Sequence, residues 1–375
     1  MEKRRTVRVI SLIFIMLMII RAIEIVFIKT DQTWIGENIL HKICCILLIW
    51  IALDMLRLHW SDLGFSKKGL FAGLKYGLAL GISTFFLSYV AEFIVLFVMG
   101  KHASLRFYIT NFSLTQSHTN GSSLLAVVVC VIGNIINVYA EEGLFRGLFC
   151  KIGIQYYSQK TANIIQALLF GIWHITNVIN PLLDGSMNIA MAAFMGIGYI
   201  LLSGILAYEW GMCAALSGTL WIGASEHLFN NFISNSLHTV TETGADELMV
   251  IRITLSNILS LLFVLIVSKK IYITNATIQM LKNKSNHKLY NALCGRKRNP
   301  NLLSYETLSF AQHNTKDDHK KTGNLFLISC LDVSFYVETI IPFSIGYIFI
   351  NGNLFCFYWE VIVHLLISHY FFCKR

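Results

Sequence analysis

A chain of 375 residues with 55% hydrophobic and 14% charged side chains, three prolines and a mean hydropathy of +0.61 is not a soluble domain, in which charged residues run near ~25%. Lipid offers backbone groups no partner, so such a chain crosses the membrane as helices. The net charge of +9 does not mark a nucleic-acid binder. The basic residues lie mainly at the N-terminus and in loops between apolar runs, where positive charge faces the cytoplasm.

The start, "MEKRR" followed by "TVRVISLIFIMLMIIRAIEIVFI", resembles a signal peptide. Its apolar run is too long and no small-residue cleavage site follows, so a first, uncleaved span is expected. Apolar runs of membrane length fall at 7–28, 39–58, 70–99, 123–150, 161–180, 188–208, 211–235 and 247–268. Lys3, Arg4 and Arg5, the loop with Arg57, Lys67 and Lys68, the loop with Lys151 and Lys160, and Lys269 with Lys270 are assigned to the cytoplasmic side. The loops "DGSMN" and "HTVTETGADE" lack Lys and Arg and are assigned outside. Lys101 and Arg106 in loop 101–122 are the exception. Eight spans with both termini cytoplasmic satisfy this pattern best.

Residues 273–324 are polar, with nine Lys/Arg against three Asp/Glu between Lys282 and Lys321. They read as a basic cytoplasmic linker near anionic lipid. Two further apolar runs, split by "NGN", read as a hairpin over 325–375. The expected class is therefore all-α and polytopic, an eight-helix transmembrane core plus a C-terminal two-helix hairpin. Its parts are N-terminal helices over 1–60, a core over 61–272, the linker 273–324 and the hairpin 325–375. The nine cysteines show no CxxC spacing and read as buried, reduced small hydrophobes. The Trp and Tyr residues near span ends read as interface anchors.

Ionisable residues inside spans are functional candidates by default. Glu141, Glu142 and Arg146 share the fourth span in "AEEGLFRG", His174 lies in "LLFGIWHITNV", and His227 lies in "WIGASEHLFNNFI". Helical spacing pairs Glu142 with Arg146 at i,i+4 and turns Glu141 away by about 100°. His227 and Asn231 share a face, and Phe170 covers the face of His174. From the cytoplasmic ends, Glu141, His174 and His227 all lie roughly 14 to 24 Å deep, so they can meet at one level. A buried Glu beside two imidazoles serves as general base toward water. His174 shares that water or relays the proton, and His227 with the Asn231 amide donates to a developing oxyanion. The same Glu141, His174 and His227 equally suit a Zn²⁺ with an open water position, and the residues alone leave both readings open. The HExxH helix of soluble zinc proteases is absent.

These motifs resemble those of the CPBP (Abi) family, the CAAX-protease and bacteriocin-processing intramembrane endopeptidases. "EEGLFRG" matches its EExxxR motif, "FGIWH" its FxxxH motif and "HLFNN" its HxxxN motif, in family order and on separate spans. The run "MGIGYILLSGILAYEWGMCAALSGTL" looks like the family's approach to its last motif, and the likeness covers roughly residues 60–235. It implies an eight-helix core in which Glu141 and His174 activate water, Glu142 and Arg146 support the site, and His227 with Asn231 form the oxyanion hole. It requires no cofactor in the glutamate-dependent form, with a divalent metal such as Zn²⁺ as the alternative. Glu226 departs from the pattern, as does the tail after about residue 272. The substrate implied is a peptide or protein in or at the bilayer, prenylated or bacteriocin-like, with no nucleic-acid partner and no oligomeric state specified. A non-catalytic membrane partner or immunity protein in the same fold is the alternative, and a transporter with a Glu141–His174 proton relay is a weaker third. Arg21, Glu24, Asp54 and Glu92 match no motif and read as helix-end or packing residues.

Overall fold

The computed structural model describes residues 3–33, 37–110, 119–121 and 123–293. The expected hairpin over 325–375, and the linker beyond residue 293, lie outside the described residues. Helix α1 (Lys3–Ile23) widens into a π-turn over Glu24–Ile28. Helix α2 (Leu40–Leu56) follows, then α3 (Leu70–Val98) and α4 (Leu124–Glu141). The chain of α4 continues as a π-helical segment over Glu142–Phe149 and one more α-turn to Gly153. Then come α5 (Gln159–Trp173), α6 (Ile189–Ser217), α7 (Trp221–Ser236) and α8 (Met249–Leu293). Two short antiparallel ribbons, absent from the all-α expectation, pair β1 (Ser104–Phe107) with β4 (Leu237–Val240) and β2 (Ile109–Thr110) with β3 (Thr119–Gly121).

Among the described residues, six helices are long and apolar enough to cross a membrane, at Thr6–Gln32, Lys67–Val98, Leu124–Gly153, Gln159–Leu183, Ile189–Ser217 and Met249–Thr274. Helices α2 and α7, at 17 and 16 residues, are shorter than these. The outer faces of the long helices α3, α4 and α6 suit lipid: Phe71, Phe97, Leu124 and Ile189 are each at least 78% exposed. The break expected near residue 210 is absent. Helix α6 runs on to Ser217 and stops at Gly218, which adopts φ 69°, the left-handed C-cap conformation. Helix α8 continues to Leu293, well into the segment expected as a polar linker.

Local chemistry fixes the helix starts. Ser123, Ser158 and Asn188 accept hydrogen bonds from Ala126, Thr161 and Met191 backbone N–H groups at 3.2, 3.1 and 2.8 Å, N-caps of the usual kind. Helix α2 begins at Ile39 without a side-chain cap of its own. Glu24, from the end of α1, supplies it instead. Its Oε1 accepts from Leu40 N and its Oε2 from His41 N, both at 2.7 Å, satisfying otherwise orphaned donors.

Packing then places the motif-bearing helices. Helix α7 lies against α3, and α5 lies against α6. The first contact depends on Gly73, Gly77 and Gly81, one turn apart on α3. A Cβ at Gly77 would meet the Ile222 carbonyl and stand 2.9 Å from Glu226 N. Small residues at such a seam let helix backbones approach closely in lipid. The main core joins Phe14 and Leu17 of α1, Ile49 of α2, Leu144, Phe145 and Leu148 of the π segment, Phe170 and Trp173 of α5, and Trp210 of α6. A second polar anchor, distant from that core, holds α3 to α8. Arg252 Nη1 donates to Glu92 Oε1 and Oε2 at 2.8 and 2.6 Å, and Arg252 Nη2 donates to Asp246 Oδ2 at 2.5 Å. Glu92, read from sequence as a helix-end or packing residue, is one member of this network.

Candidate active site

The three motifs converge where α4 opens into its π segment. Such segments are rare and recur at functional sites. Glu141 is the last α-helical residue and Glu142 the first of the wider turn. Both are buried, at 4% and 1% exposure. Arg146 Nη2 stands 3.3 Å from Glu142 Oε1. Its guanidinium lies over the Phe170 ring at 4.1 Å and the Trp210 ring at 4.8 Å, a cation–π contact with each of two rings set edge to face.

Glu141 points elsewhere. Its Oε1 accepts from Trp173 Nε1 at 2.9 Å, and Arg21 Nη1 stands 3.8 Å from the same oxygen. Its Oε2 is held more loosely, by Asn137 Nδ2 at 3.4 Å and opposite His227 Nε2 at 3.6 Å. His227 therefore bridges the two acids, because its Nδ1 lies 2.9 Å from Glu142 Oε1. A carboxylate only accepts, so Nδ1 carries the hydrogen. With that hydrogen on Nδ1, it is Nε2 that faces Glu141 Oε2.

His174 is half-buried and starts a 3₁₀ turn where α5 ends. Its Nδ1 is 2.9 Å from the Phe170 carbonyl, which assigns that hydrogen to Nδ1 and leaves Nε2 as the acceptor. The Phe170 ring contacts both imidazoles, with centroids 4.6 Å from His174 and 6.2 Å from His227. Asn231 lies one turn beyond His227, half-buried, and makes no side-chain hydrogen bond among the described residues. Glu226 does not face the site. Its Oε2 accepts from Trp210 Nε1 at 3.0 Å and its Oε1 from Ser260 Oγ.

Among the described residues, no three His, Cys, Asp or Glu side chains gather as a metal-ligand set. Glu141 and His227 approach each other, and His174 makes no ion pair with that carboxylate. Among the described residues, Glu141, His174 and His227, the set that would hold a divalent metal, are not drawn together as its three ligands.

Sequence reasoning missed four side chains here. Trp173, inside the expected fifth span, and Trp210, near a span end where an interface anchor was expected, are 1% and 2% exposed and donate to Glu141 and Glu226. Arg21, read as a helix-end or packing residue, faces Glu141. His41 is 1% exposed, its ring 5.5 Å from Trp173 and its Nδ1 2.6 Å from Glu24 Oε2. An arginine and a glutamate inside the first apolar run were the only signal available.

Fold and site together define a helical membrane protein with an acid–imidazole centre enclosed by its spans. Residues 122–233 match the family described as Type II CAAX prenyl endopeptidase Rce1-like, within the CPBP family. That stretch carries all three motifs, and the resemblance read from them stands over it. The matched family is one of membrane proteases, which places peptide substrates and a lipid environment at the family level. No curated protein and no solved structure matches the chain.

Proposed function

We propose that this protein is an intramembrane endopeptidase that hydrolyses a peptide bond with a water activated at Glu141. The observation that carries the reading is the asymmetry of that carboxylate. Oε1 is fixed by Trp173, while Oε2 is loosely held and faces His227 Nε2 at 3.6 Å. Oε2 is the atom placed to take a proton. Water attacks the carbonyl carbon as its proton passes to Oε2, and the same proton then goes to the departing amine as the C–N bond breaks. In this reading His174, with its Nδ1 hydrogen committed to the Phe170 carbonyl, offers Nε2 as a second acceptor for that proton. His227, held at Nδ1 by Glu142, and the Asn231 amide one turn on are the groups assigned to the developing oxyanion. Glu142 and Arg146 hold His227 and Phe170 in place.

The matched family's name supports a prenylated C-terminal substrate, entering from the cytoplasmic side or laterally from the bilayer. The basic residues of the N-terminus and loops support cytoplasmic termini. The deciding experiment incubates the purified full-length protein, reconstituted in vesicles, with a farnesylated peptide ending in a CaaX sequence. Wild type cleaves it, and Glu141→Gln, equally folded, does not. Turnover retained by Glu141→Gln overturns the assignment. Identical peptide profiles from cells expressing either form, with any protective phenotype intact, favour the non-catalytic partner or immunity protein instead.

A further inference from the structure

The stretch that matches the protease family begins after α3, yet the candidate base touches α1. Arg21 lies in the last turn of α1, and its side chain is 9% exposed. Its guanidinium contacts Glu141, Trp173 and Asn177, the last lying three residues after His174. Nη1 stands 3.8 Å from Glu141 Oε1, Nη2 donates to Asn177 Oδ1 at 3.1 Å, and the plane lies 4.6 Å from the Trp173 ring. Trp173 in turn donates to that same Oε1. One carboxylate oxygen is therefore bracketed by an indole N–H and a cation that are themselves stacked together.

The neighbouring charges leave Arg21 to Glu141. Glu24, three residues on, is fully engaged by Leu40 N, His41 N, the His41 ring and the Thr30 hydroxyl. Glu37 pairs with Lys42. Arg21 Nε and Nη1 have no hydrogen-bond partner although buried. A guanidinium buried among spans without an acid would be costly; Glu141 is the carboxylate within reach. The contact is an ion pair at 3.8 Å rather than a hydrogen bond, so it fixes the carboxylate while leaving Oε2 for the reacting water.

We infer that Arg21 is a positioning residue for Glu141, and that α1, outside the matched stretch, is part of the catalytic unit. The inference rests on the peptidase reading above. Arginine suits this place because its plane stacks on an indole while its edge faces an acid; lysine keeps the charge without the plane.

The test compares full-length wild type, Arg21→Lys and Arg21→Met on the farnesylated CaaX peptide, with melting temperatures measured in parallel. Arg21→Met is expected to lower kcat at least about tenfold, a shift of ~1.4 kcal/mol, with KM nearly unchanged, and Arg21→Lys to recover part of the loss. An unchanged kcat, or a rise in KM alone, overturns the inference, since neither comes from a misplaced base. A double-mutant cycle read by melting temperature covers a variant that folds poorly. The Arg21→Met shift should shrink in a Glu141→Gln background. Additive shifts overturn the inference whatever the activity. A coupled cycle beside a wild type that cleaves nothing overturns the peptidase reading instead.

Discussion

The indole of Trp210 stacks flat on the imidazole of His227, with centroids 4.1 Å apart and planes at 17°. The same indole donates through Nε1 to Glu226, which shares the Ser260 hydroxyl with Glu209. Glu226 and His227 are adjacent in sequence yet face different partners, joined through one tryptophan. Trp210→Phe keeps much of the stack and removes the donor to a buried carboxylate, a loss of about 1–3 kcal/mol. Trp210→Ala also opens a cavity and should cost about 3–5 kcal/mol. Thermal unfolding in detergent should rank the two in that order, and cleavage should fall more than binding in the phenylalanine variant.

Glu142→Gln is expected to leave a folded protein with reduced, not abolished, turnover. The amide can still accept from His227 Nδ1, but the charge facing Arg146 is gone. Exchanging the charged acceptor of His227 Nδ1 for a neutral one costs about 1.5–3 kcal/mol, which bounds the drop in kcat/KM at roughly ten- to two-hundredfold. A Glu142→Gln enzyme as dead as Glu141→Gln would mean that the two acids act as one unit.

The glycine seam between α3 and α7 offers a control within one experiment. Gly77→Val drives a side chain into the backbone of α7 next to Glu226 and should unfold the protein or displace His227. Gly198 on α6 has nothing within 4 Å of an added Cβ. Gly198→Ala should be neutral or stabilising by about 0.5–1 kcal/mol. Expression and melting temperature distinguish the two directly.

Arg252 pairs with both Glu92 and Asp246, so Arg252→Met strands two buried acids and should cost about 3–5 kcal/mol. Asp246 adds a pH signature. Burial alone would raise its carboxyl, but the hydrogen bond at His238 and the Arg252 guanidinium outweigh burial and hold it below the ordinary carboxylate range. Its folded value is thus lower than its unfolded value of about 3.9. The stability it contributes is complete above that unfolded value and is lost as pH falls through the folded one. Melting temperature should decline in acid, and Asp246→Asn should flatten the decline.

The spans and the motifs were legible because lipid imposes long apolar runs and makes each buried charge conspicuous. Glu141, Glu142, Arg146, His174 and His227 stood out for that reason, and helical spacing correctly separated the direction of Glu141 from that of the Glu142–Arg146 pair. The breaks were not legible. Nothing in "GIWHIT" announces that α5 ends at Trp173, because the interruption is made good by His174 bonding to the Phe170 carbonyl. Nothing near Gly211 ends α6, since a glycine packed against Asn163 and Gln166 serves contact rather than termination. Arg21 and Trp173 were discounted because their partners are distant in sequence, and periodicity within one helix carries no information about what faces it. The short ribbon of β1 with β4 was hidden for the same reason.

The π segment over Glu142–Phe149 makes this locus sensitive in a particular way. A wide turn is an α-helix holding surplus chain. Removing one residue there would restore ordinary winding and swing everything on one side of the deletion by about 100°. The two acids would then no longer share His227 with Arg146 in place. Point changes along this stretch should be graded in effect. A single-codon deletion should be close to all-or-none, which makes the register of the segment, more than the identity of most of its side chains, the feature that inheritance has to preserve.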